Sequence, residues 1–199
     1  MKIAITANKG GVTKSTQGKE IALKFDLKVF DLDKASHLKE KFKMLKVDKV
    51  EENTLIPFGD DCIYDFPGGD IFSLFPNTTE ILKECDLIII PTLYVPESID
   101  RAIDTYNKVK PINDKILFIL SQMREEEYAK DTIQYMQDIL GEEIVLHPIR
   151  FSLGMENAEF DGTSIYEVAN KANKLIKRNY YNGIIKDYEE LFKLINEVI

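Results

Sequence analysis

The sequence predicts a three-layer α/β domain, with a mostly parallel twisted β-sheet and helices on both faces. Short apolar runs alternate with longer amphipathic stretches, which is the pattern of repeated β–α–β units. The apolar runs are rich in Ile, Leu and Val with little polar alternation, as expected for strands that helices cover on both sides. The predicted strands span residues 2–6, 28–32, 62–65, 87–92, 116–121 and a short stretch near 144–147.

Apolar residues at helical spacing predict the elements between these strands. The first helix is expected over residues 15–24, a second after Pro96, and a third over 126–140. A helix over 164–178 would bury Val168, Ala169, Ala172, Leu175 and Ile176. Asn182-Gly183 predicts a break in the chain. A last amphipathic helix would then pack Tyr188, Leu191, Phe192 and Ile195 against the domain.

Length and composition narrow the class of protein. At 199 residues the chain is long enough for one well-buried core, so we predict a single domain over 1–199. No apolar run approaches the roughly 20 residues needed to span a bilayer. The chain enters a strand at once, which argues against a signal peptide or a separate N-terminal DNA-binding module. Cys62 and Cys85 lack metal-ligand spacing and are expected to be buried thiols in a reducing cytosol.

A glycine-rich turn follows the first predicted strand and opens the first predicted helix. The turn reads Asn8-Lys9-Gly10-Gly11-Val12-Thr13-Lys14-Ser15-Thr16. Such a turn points backbone N–H groups into one concavity in front of the positive end of a helix, a geometry that holds phosphate. In the pattern G-x-x-x-x-G-K-[ST], the lysine reaches the terminal phosphates and the hydroxyl ligates Mg²⁺. Lys14 and Ser15 are therefore candidate phosphate and metal contacts.

Two acidic strand ends accompany this turn. Asp31-Leu32-Asp33 ends the second predicted strand, and Asp65-Phe66-Pro67-Gly68-Gly69 follows from the third. The carboxyl ends of parallel strands meet at one edge of the sheet, where open α/β sheets bind ligands. A carboxylate there can hold Mg²⁺ through water. The glycines would let the backbone approach a γ-phosphate and change conformation when it leaves.

Together these motifs resemble those of the ParA/MinD family of P-loop NTPases. K-G-G-V-T-K-S-T, D-L-D and D-F-P-G-G are similar to its deviant Walker A, switch I and Walker B/switch II motifs. The resemblance covers nearly the whole chain, including the late segment IRFSLGMENAEFDGTSIYE, and the compact length resembles small plasmid-partition ParA proteins of the ParF type. It implies a P-loop fold that binds ATP or ADP with Mg²⁺ and forms a homodimer around ATP.

The resemblance also implies a role for each matched residue. Lys9 corresponds to the signature lysine that reaches the partner subunit's nucleotide, Lys14 to the P-loop lysine, and Asp33 to the carboxylate that positions the attacking water. These three are the candidate catalytic residues. The candidate metal-site residues are Ser15, Asp31 and Asp65. The candidate nucleotide contacts are Lys9, Gly10, Gly11, Val12, Thr13, Lys14, Ser15, Thr16, Gly68 and Gly69.

Several positions depart from the usual motifs. Asn8 and Thr13 stand where G-x-x-x-x-G-K-[ST] has its glycines. A threonine held at φ > 0 would cost on the order of 1–3 kcal/mol, whereas asparagine enters that region more readily. Lys34-Ala35 stands where the family usually has Pro-Gln after Asp33. These departures affect hydrolysis more than binding, and they keep open a nucleotide-binding relative with little turnover.

Base recognition is weakly marked in the sequence. The resemblance places the adenine near Ser121-Gln122-Met123-Arg124 and near Pro148-Ile149-Arg150. The first of these segments contains no Asn/Thr-Lys-x-Asp signature for guanine. ATP is therefore expected in preference to GTP.

A basic cluster near the C-terminus is the candidate DNA-binding surface. The net charge of −8 argues against a uniformly basic nucleic-acid binder but allows a local basic face. The resemblance implies non-specific DNA binding by the ATP-bound dimer. The candidate residues are Lys171, Lys174, Lys177 and Arg178, with Lys186 as a further candidate. An ordinary solvated helix face is the alternative interpretation, and it is also the one expected for a second cluster, Lys39, Lys41, Lys43, Lys46 and Lys49.

The sequence thus predicts a cytoplasmic, nucleoid-associated ParA-type partition ATPase. Its expected partners are a second copy of itself, non-specific DNA and a ParB-like centromere-binding protein that stimulates slow hydrolysis. A MinD-like membrane-cycling ATPase is the main alternative. The acidic face of the last helix, with Asp187, Glu189 and Glu190, argues against a membrane partner because anionic headgroups would repel it. A ligase related to dethiobiotin synthetase also stays open, although Lys9 argues against it.

Overall fold

The computed structural model describes residues 1–141 and 143–199. These residues contain a seven-stranded sheet whose paired strands are all parallel, in the order β3-β2-β4-β1-β5-β6-β7. The strands are β1 (Lys2–Ala7), β2 (Lys28–Asp31), β3 (Val47–Lys49), β4 (Cys62–Gly68), β5 (Leu87–Leu93), β6 (Ile116–Met123) and β7 (Val145–Arg150). The sheet runs to one side of β1 through β4 and β2 and to the other side through β5 and β6. This reversal makes the carboxyl end of β1 the expected place for a ligand.

Helices connect the strands. They are α1 (Lys14–Phe25), α2 (Leu38–Lys41), α3 (Ile71–Leu74), α4 (Thr78–Glu84), α5 (Pro96–Val109), α6 (Glu126–Leu140), α7 (Leu153–Phe160), α8 (Ile165–Lys171), α9 (Lys174–Ile176) and α10 (Asn182–Val198). A π-helical turn, Lys177–Tyr181, joins α9 to α10.

The core lies on both faces of the sheet, because neighbouring strand residues point to opposite sides. Ile3 and Ile5 of β1 pack in one cluster with α1, α8 and α10. Ala4 of β1 packs in the other cluster, with α4, α5 and α6. The three-layer α/β fold predicted from the apolar runs is confirmed. Cys62 and Cys85 are buried free thiols, as expected.

The region after β2 differs from its prediction. The basic cluster from Lys39 to Lys49 was expected on one solvated helix, but α2 ends at Lys41 and a strand, β3, follows. Val47 is buried beside Val29 in the parallel pairing of β3 with β2. This pairing adds an edge strand, and Lys49 therefore lies on the sheet rather than on a helix.

The C-terminal region also differs. The single helix expected over 164–178 is wrong: α8 ends at Lys171, and Asn173 caps α9 by accepting a hydrogen bond from the Ile176 N–H at 3.0 Å. Leu175 and Ile176, expected to be buried, are 66% and 41% exposed. The break expected at Asn182-Gly183 is wrong as well, because the π-helical turn runs directly into α10. The expected packing of Tyr188, Leu191, Phe192 and Ile195 is confirmed.

Candidate functional site

The glycine-rich turn lies at the carboxyl end of β1 and leads directly into α1. Gly11 has φ 75°, a left-handed conformation that glycine adopts without strain. The backbone N–H of Asn8 donates to Thr105 Oγ1 of α5 at 3.0 Å, which fixes the start of the turn. Val12 is buried and anchors its middle. The turn is thus held at its start and in its middle, with the N-terminus of α1 immediately behind it.

Thr13 occupies the left-handed position where the usual motif has a glycine. Its φ is 67°, so the strain expected from its β-branched side chain is present. A hydrogen-bonded network holds it there. Its Oγ1 donates to Ser121 Oγ at 2.8 Å and accepts from Gln17 Nε2 at 3.3 Å. Gln17 in turn accepts from the buried Tyr188 hydroxyl at 2.9 Å, so the end of the turn is tied to β6 and α10.

Lys14 and Ser15 both lie close to Asp65 of β4. The Lys14 ammonium lies 3.4 Å from the Lys9 carbonyl oxygen. Burial lowers the pKa of Lys14, and the nearby carboxylates of Asp65 and Asp33 oppose that effect. Ser15 Oγ donates to Asp65 Oδ2 at 2.7 Å. Residues far apart in the sequence therefore form one polar centre in front of α1.

Asp65 is the most perturbed carboxyl of this centre. It is 0% exposed, and burial raises its pKa to about 7. Its second oxygen, Oδ1, accepts no hydrogen bond from the described residues. An unpaired buried carboxylate oxygen beside a hydroxyl fits a divalent cation such as Mg²⁺, which takes oxygen ligands. Within the described ranges no cluster of three or more His, Cys, Asp or Glu could hold a metal. So small a donor set suits Mg²⁺, which keeps waters and phosphate oxygens as its other ligands.

Gly68 and Gly69, which follow Asp65, lie against the glycine-rich turn. A Cβ added at Gly68 would lie 2.8 Å from the Gly10 nitrogen, so only glycine fits at this close approach. Gly69 has φ 119° and donates its N–H to the Ala7 carbonyl at 3.4 Å. The predicted switch II segment therefore lies directly against the turn.

Asp31 and Asp33 lie at the end of β2, one strand beyond Asp65. Asp31 is 1% exposed, and its register partner in β4 is Asp65. Its carboxylate accepts from Lys49 Nζ at 3.1 Å and from the Asp33 N–H at 3.2 Å. The half-buried Asp33 accepts from the Ala35 N–H at 2.9 Å. The predicted acidic residues converge on one edge of the sheet, but Asp31 is already paired with a cation.

Lys9 reaches out from the turn to α5. Its ammonium forms an ion pair with Glu97 Oε2 at 3.2 Å, and Glu97 is largely exposed. An exposed ion pair of this kind contributes about 0–1 kcal/mol. Lys9 is therefore held in this monomer by a contact that costs little to break.

A cavity of about 250 Å³ opens beside the turn. It brings together the turn and both segments expected to contact a base. Residues lining it include Thr16, Gln17, Ser121, Gln122, Ile149 and Arg150. Gln122, like Thr13, is a non-glycine residue at positive φ, and such strain often marks a functional site. Among the described lining residues, Met123, Arg124 and Pro148 of the predicted segments do not appear.

Arg150 is fixed at one wall of this cavity. Its guanidinium donates from Nε and Nη2 to the two carboxylate oxygens of Asp187, each at 2.8 Å. The Arg150 backbone N–H also donates to Asp187 at 2.9 Å. This bidentate pair joins the end of β7 to α10, and the hydrogen bond raises the pKa of Arg150.

The basic cluster of Lys171, Lys174, Lys177 and Arg178 lies on α8, α9 and the π-helical turn. Three of the four side chains are exposed and Lys177 is half-buried. Within residues 1–141 and 143–199, none of the four forms an ion pair. Lys186, the further candidate, pairs with Glu190 at 3.5 Å. The Lys177 ammonium donates to Asn170 Oδ1 at 3.4 Å. The basic cluster is thus not neutralised by the described residues, and it is spread over three short elements rather than one helix.

The helices of the described residues include none long and apolar enough to cross a membrane. The apolar face of α10 packs against the domain instead.

This combination of a parallel α/β sheet, a glycine-rich turn at its central strand and an acidic neighbouring strand end defines a P-loop NTPase fold. No protein-family model and no curated protein matches the sequence. Solved structures do share the fold, and they are ParA/MinD-family proteins. Apo McdA from Cyanothece has 17% identity and a TM-score of 0.61, covering 94% of this chain and 98% of its own. The MinD cell division protein of Aquifex aeolicus has 15% identity and a TM-score of 0.61, covering 96% of each.

A third similar structure is pNOB8 ParA bound to nonspecific DNA. It has 12% identity and a TM-score of 0.53, with 95% of this chain and 98% of its own covered. At such identities the likeness is one of fold, and it extends over nearly the whole chain.

Sequence reasoning missed several residues that shape the site. Gln17, Thr105, Glu97 and Lys49 each hold a residue of the motifs, and Tyr188 holds Gln17, yet none of the five belongs to a motif itself. Apart from the bond between Gln17 and Thr13, these contacts join different elements of the fold. A spacing rule could not have found those contacts, because such a rule covers neighbours along one element.

Proposed function

We propose that the protein is a ParA-type ATPase that binds ATP with Mg²⁺ and dimerises around it. The hydrogen bond from Ser15 to the buried Asp65 supports this most directly, because it joins the helix behind the phosphate turn to the acidic strand end. The unpaired Asp65 oxygen, the buried Lys14 and the contact of Gly68 with Gly10 support the same conclusion. The cavity beside Thr16 is of a size and position suited to the nucleoside.

Each residue of the site then has a task. The turn from Gly10 to Thr16 would present N–H groups to the phosphates, and Lys14 would balance their charge. Ser15 and Asp65 would hold Mg²⁺, and the bound ion would supply positive charge against the phosphoryl oxygens. Asp33 would orient the attacking water. Lys9 would leave Glu97 and reach the nucleotide of the partner subunit, where a second cation stabilises the transferring phosphoryl group.

We further propose that the ATP dimer acts in DNA partition. The basic cluster of Lys171, Lys174, Lys177 and Arg178, which forms no ion pair within the described residues, supports non-specific DNA binding through phosphate contacts. In this role a ParB-like protein would stimulate slow hydrolysis, and the protein would be cytoplasmic and nucleoid-associated. The likeness in fold to a ParA structure bound to nonspecific DNA agrees with this assignment.

One observation favours a second candidate, a positioning ATPase that cycles on a membrane. The exposed Leu175 and Ile176 stand among the cations of the same surface. Apolar side chains beside lysines are typical of segments that lie on anionic lipid. The opposing observation is that α10, the amphipathic helix nearest the C-terminus, is packed against the domain.

The deciding experiment compares the protein with Mg-ADP and with a Mg-bound non-hydrolysable ATP analogue. Light scattering after size exclusion gives the oligomeric state, and retention on random-sequence duplex DNA and on anionic liposomes gives the partner surface. A dimer formed with the analogue that binds DNA in a salt-sensitive way supports partition. Liposome binding without DNA binding would favour the membrane role. A monomer in both nucleotides would overturn the dimeric ATPase.

A further inference from the structure

The loop that carries Asp33 closes around a lysine from the neighbouring strand. This loop, residues 32–36, leaves β2 and leads towards α2. Lys49 Nζ lies 2.6 Å from the Asp33 carbonyl oxygen and 3.0 Å from the Ser36 carbonyl oxygen. It also lies 3.1 Å from Asp31 Oδ2. An ammonium has three donors, and here each has an acceptor of its own.

The pairing of β3 with β2 fixes the position of Lys49. β3 pairs with β2 in parallel, and Lys49 is the register partner of Asp31. The buried Asp31 carboxylate holds the ammonium with one oxygen and the Asp33 N–H with the other. Charge-assisted bonds of this kind are stronger than neutral ones, and a partly buried setting screens them less than an exposed one.

The loop itself is a tight turn whose carbonyls face the lysine. The Ser36 N–H donates to the Asp33 carbonyl at 2.9 Å, and the Ala35 N–H donates to the Asp33 carboxylate at 2.9 Å. Lys49 binds the carbonyl oxygens of Asp33 and Ser36, which are the first and last residues of the turn that these bonds close. Lys49 therefore holds the backbone of Asp33, whose carboxylate is in turn held by the Ala35 N–H.

We propose that Lys49 is a positioning residue for the reaction, acting through the loop that carries Asp33. This inference rests on the proposed function, because it assigns Asp33 to the attacking water. β2 and β4 lie between β3 and β1, and the hydrogen bonds of Lys49 within the described residues go to Asp31, Asp33 and Ser36 rather than to the glycine-rich turn. Removing its ammonium should impair turnover while leaving nucleotide affinity intact, since misplacing a catalytic group by about 1 Å can cost roughly a hundredfold in rate.

The test compares Lys49→Met with Lys46→Met. The control, Lys46, precedes the same strand and pairs with the exposed Asp26 at 2.8 Å, away from the loop. Three quantities are measured for each variant: the affinity for a fluorescent ATP analogue, kcat for ATP hydrolysis, and hydrogen exchange of the Ala35 and Ser36 amides. Lys49→Arg tests rescue, because a guanidinium restores the charge near Asp31 but carries its donors in a planar fork.

For Lys49→Met we expect unchanged affinity, about a tenfold or greater loss of kcat, and faster exchange at both amides. Lys46→Met should match the wild type, and Lys49→Arg should be intermediate. If Lys49→Met does not fold, the same measurements on Lys49→Arg decide. Equal losses of affinity and kcat, unchanged exchange, or faster exchange with unchanged kcat would each overturn the proposal. If the wild type binds ATP but hydrolyses none, the proposed ATPase fails with the positioning role, while faster exchange would still show that Lys49 holds the loop.

Discussion

The Thr13 hydroxyl donates a hydrogen bond of 2.8 Å to the Ser121 hydroxyl, and this bond ties the phosphate turn to the end of β6. It accompanies a backbone conformation that threonine normally avoids, with φ 67°. The bond therefore explains how a β-branched residue is held where the usual motif has a glycine.

Substitutions at Thr13 should distinguish the contribution of its hydroxyl to stability from the cost of its left-handed backbone. We expect Thr13→Val to lower the free energy of unfolding by about 1–3 kcal/mol, because Ser121 and Gln17 lose a hydrogen-bond partner while the strain stays. Thr13→Gly should stay within about 1 kcal/mol of the wild type, since relief of strain offsets the missing hydrogen bond. Urea unfolding measures both, with the exposed Thr54→Val as control. Equal stability of Thr13→Val and Thr13→Ser would contradict this account.

Lys14→Ala should abolish measurable nucleotide binding. Lys14 is a buried lysine close to the Asp65 carboxylate, and in the proposed site its charge balances that of the phosphates. Isothermal titration with Mg-ATP measures the loss. Lys24→Ala, an exposed lysine on the same helix, is the matched control and should bind normally. Unchanged affinity in Lys14→Ala would show that the site is wrongly assigned.

Lys9→Ala should spare nucleotide binding by the monomer but remove the ATP-dependent dimer and its stimulated turnover. Its partner in the monomer, Glu97, is exposed, so Glu97→Gln should strengthen the dimer by less than about fivefold. Sedimentation with the ATP analogue measures the dimer, and Lys130→Ala serves as the charge control. Normal dimerisation of Lys9→Ala would refute the role across the subunit interface.

Asp65 should make the stability of the metal-free protein depend on pH. Burial raises its pKa from 3.8 to about 7, so between these values the folded state binds more protons than the unfolded state. The stability due to this carboxyl therefore falls as the pH rises through that window, by at most about 1.4 kcal/mol per pH unit. Asp65→Asn should flatten this dependence and gain stability over the wild type above about pH 7. Parallel pH profiles of the two proteins would be inconsistent with a raised pKa.

The double charge reversal Lys171→Glu/Lys174→Glu should weaken DNA binding by the ATP-bound form. We expect the slope of log affinity against log salt to shrink by about 2, because each lysine that neutralises a phosphate contributes about one unit to that slope. Fluorescence anisotropy on a random-sequence duplex measures it. The control Lys130→Glu/Lys193→Glu changes the net charge equally at lysines that pair with Glu126 and Glu197. An equal reduction in the control would assign the effect to overall charge.

The sequence predicted the fold well because its strands are buried on both sides and read as continuous apolar runs. It failed at β3, an edge strand of three residues in which Val47 is buried and both Asp48 and Lys49 are exposed, so the strand shows no periodic pattern. It failed again after Lys171, because apolar residues at helical spacing are compatible with an exposed turn when nothing packs on them. Leu175 and Ile176 have helical spacing but are exposed, and they led to the wrong prediction of one buried helix.

The sequence predicted the motif residues of the candidate site but not the residues that hold them in place. Lys14, Ser15 and Asp65 are named by local spacing and meet as expected. The pairing of Asp31 with Lys49 depends on strand register, which local spacing does not encode. Sequence patterns thus predicted groups that the fold brings together, whereas the partners that orient them could be read only from the folded sheet.

Gly68 lies so close to Gly10 that the loop after β4 and the glycine-rich turn must move together. The gap leaves no room even for a methyl group, so neither backbone can shift towards the other without pushing it. A larger side chain at Gly68 therefore requires the turn at Gly10 to shift, whereas a Cβ added at Gly10 would meet no atom within 4 Å. Chains derived from this one should keep Gly68 unless the turn is reshaped, but they can change Gly10 alone.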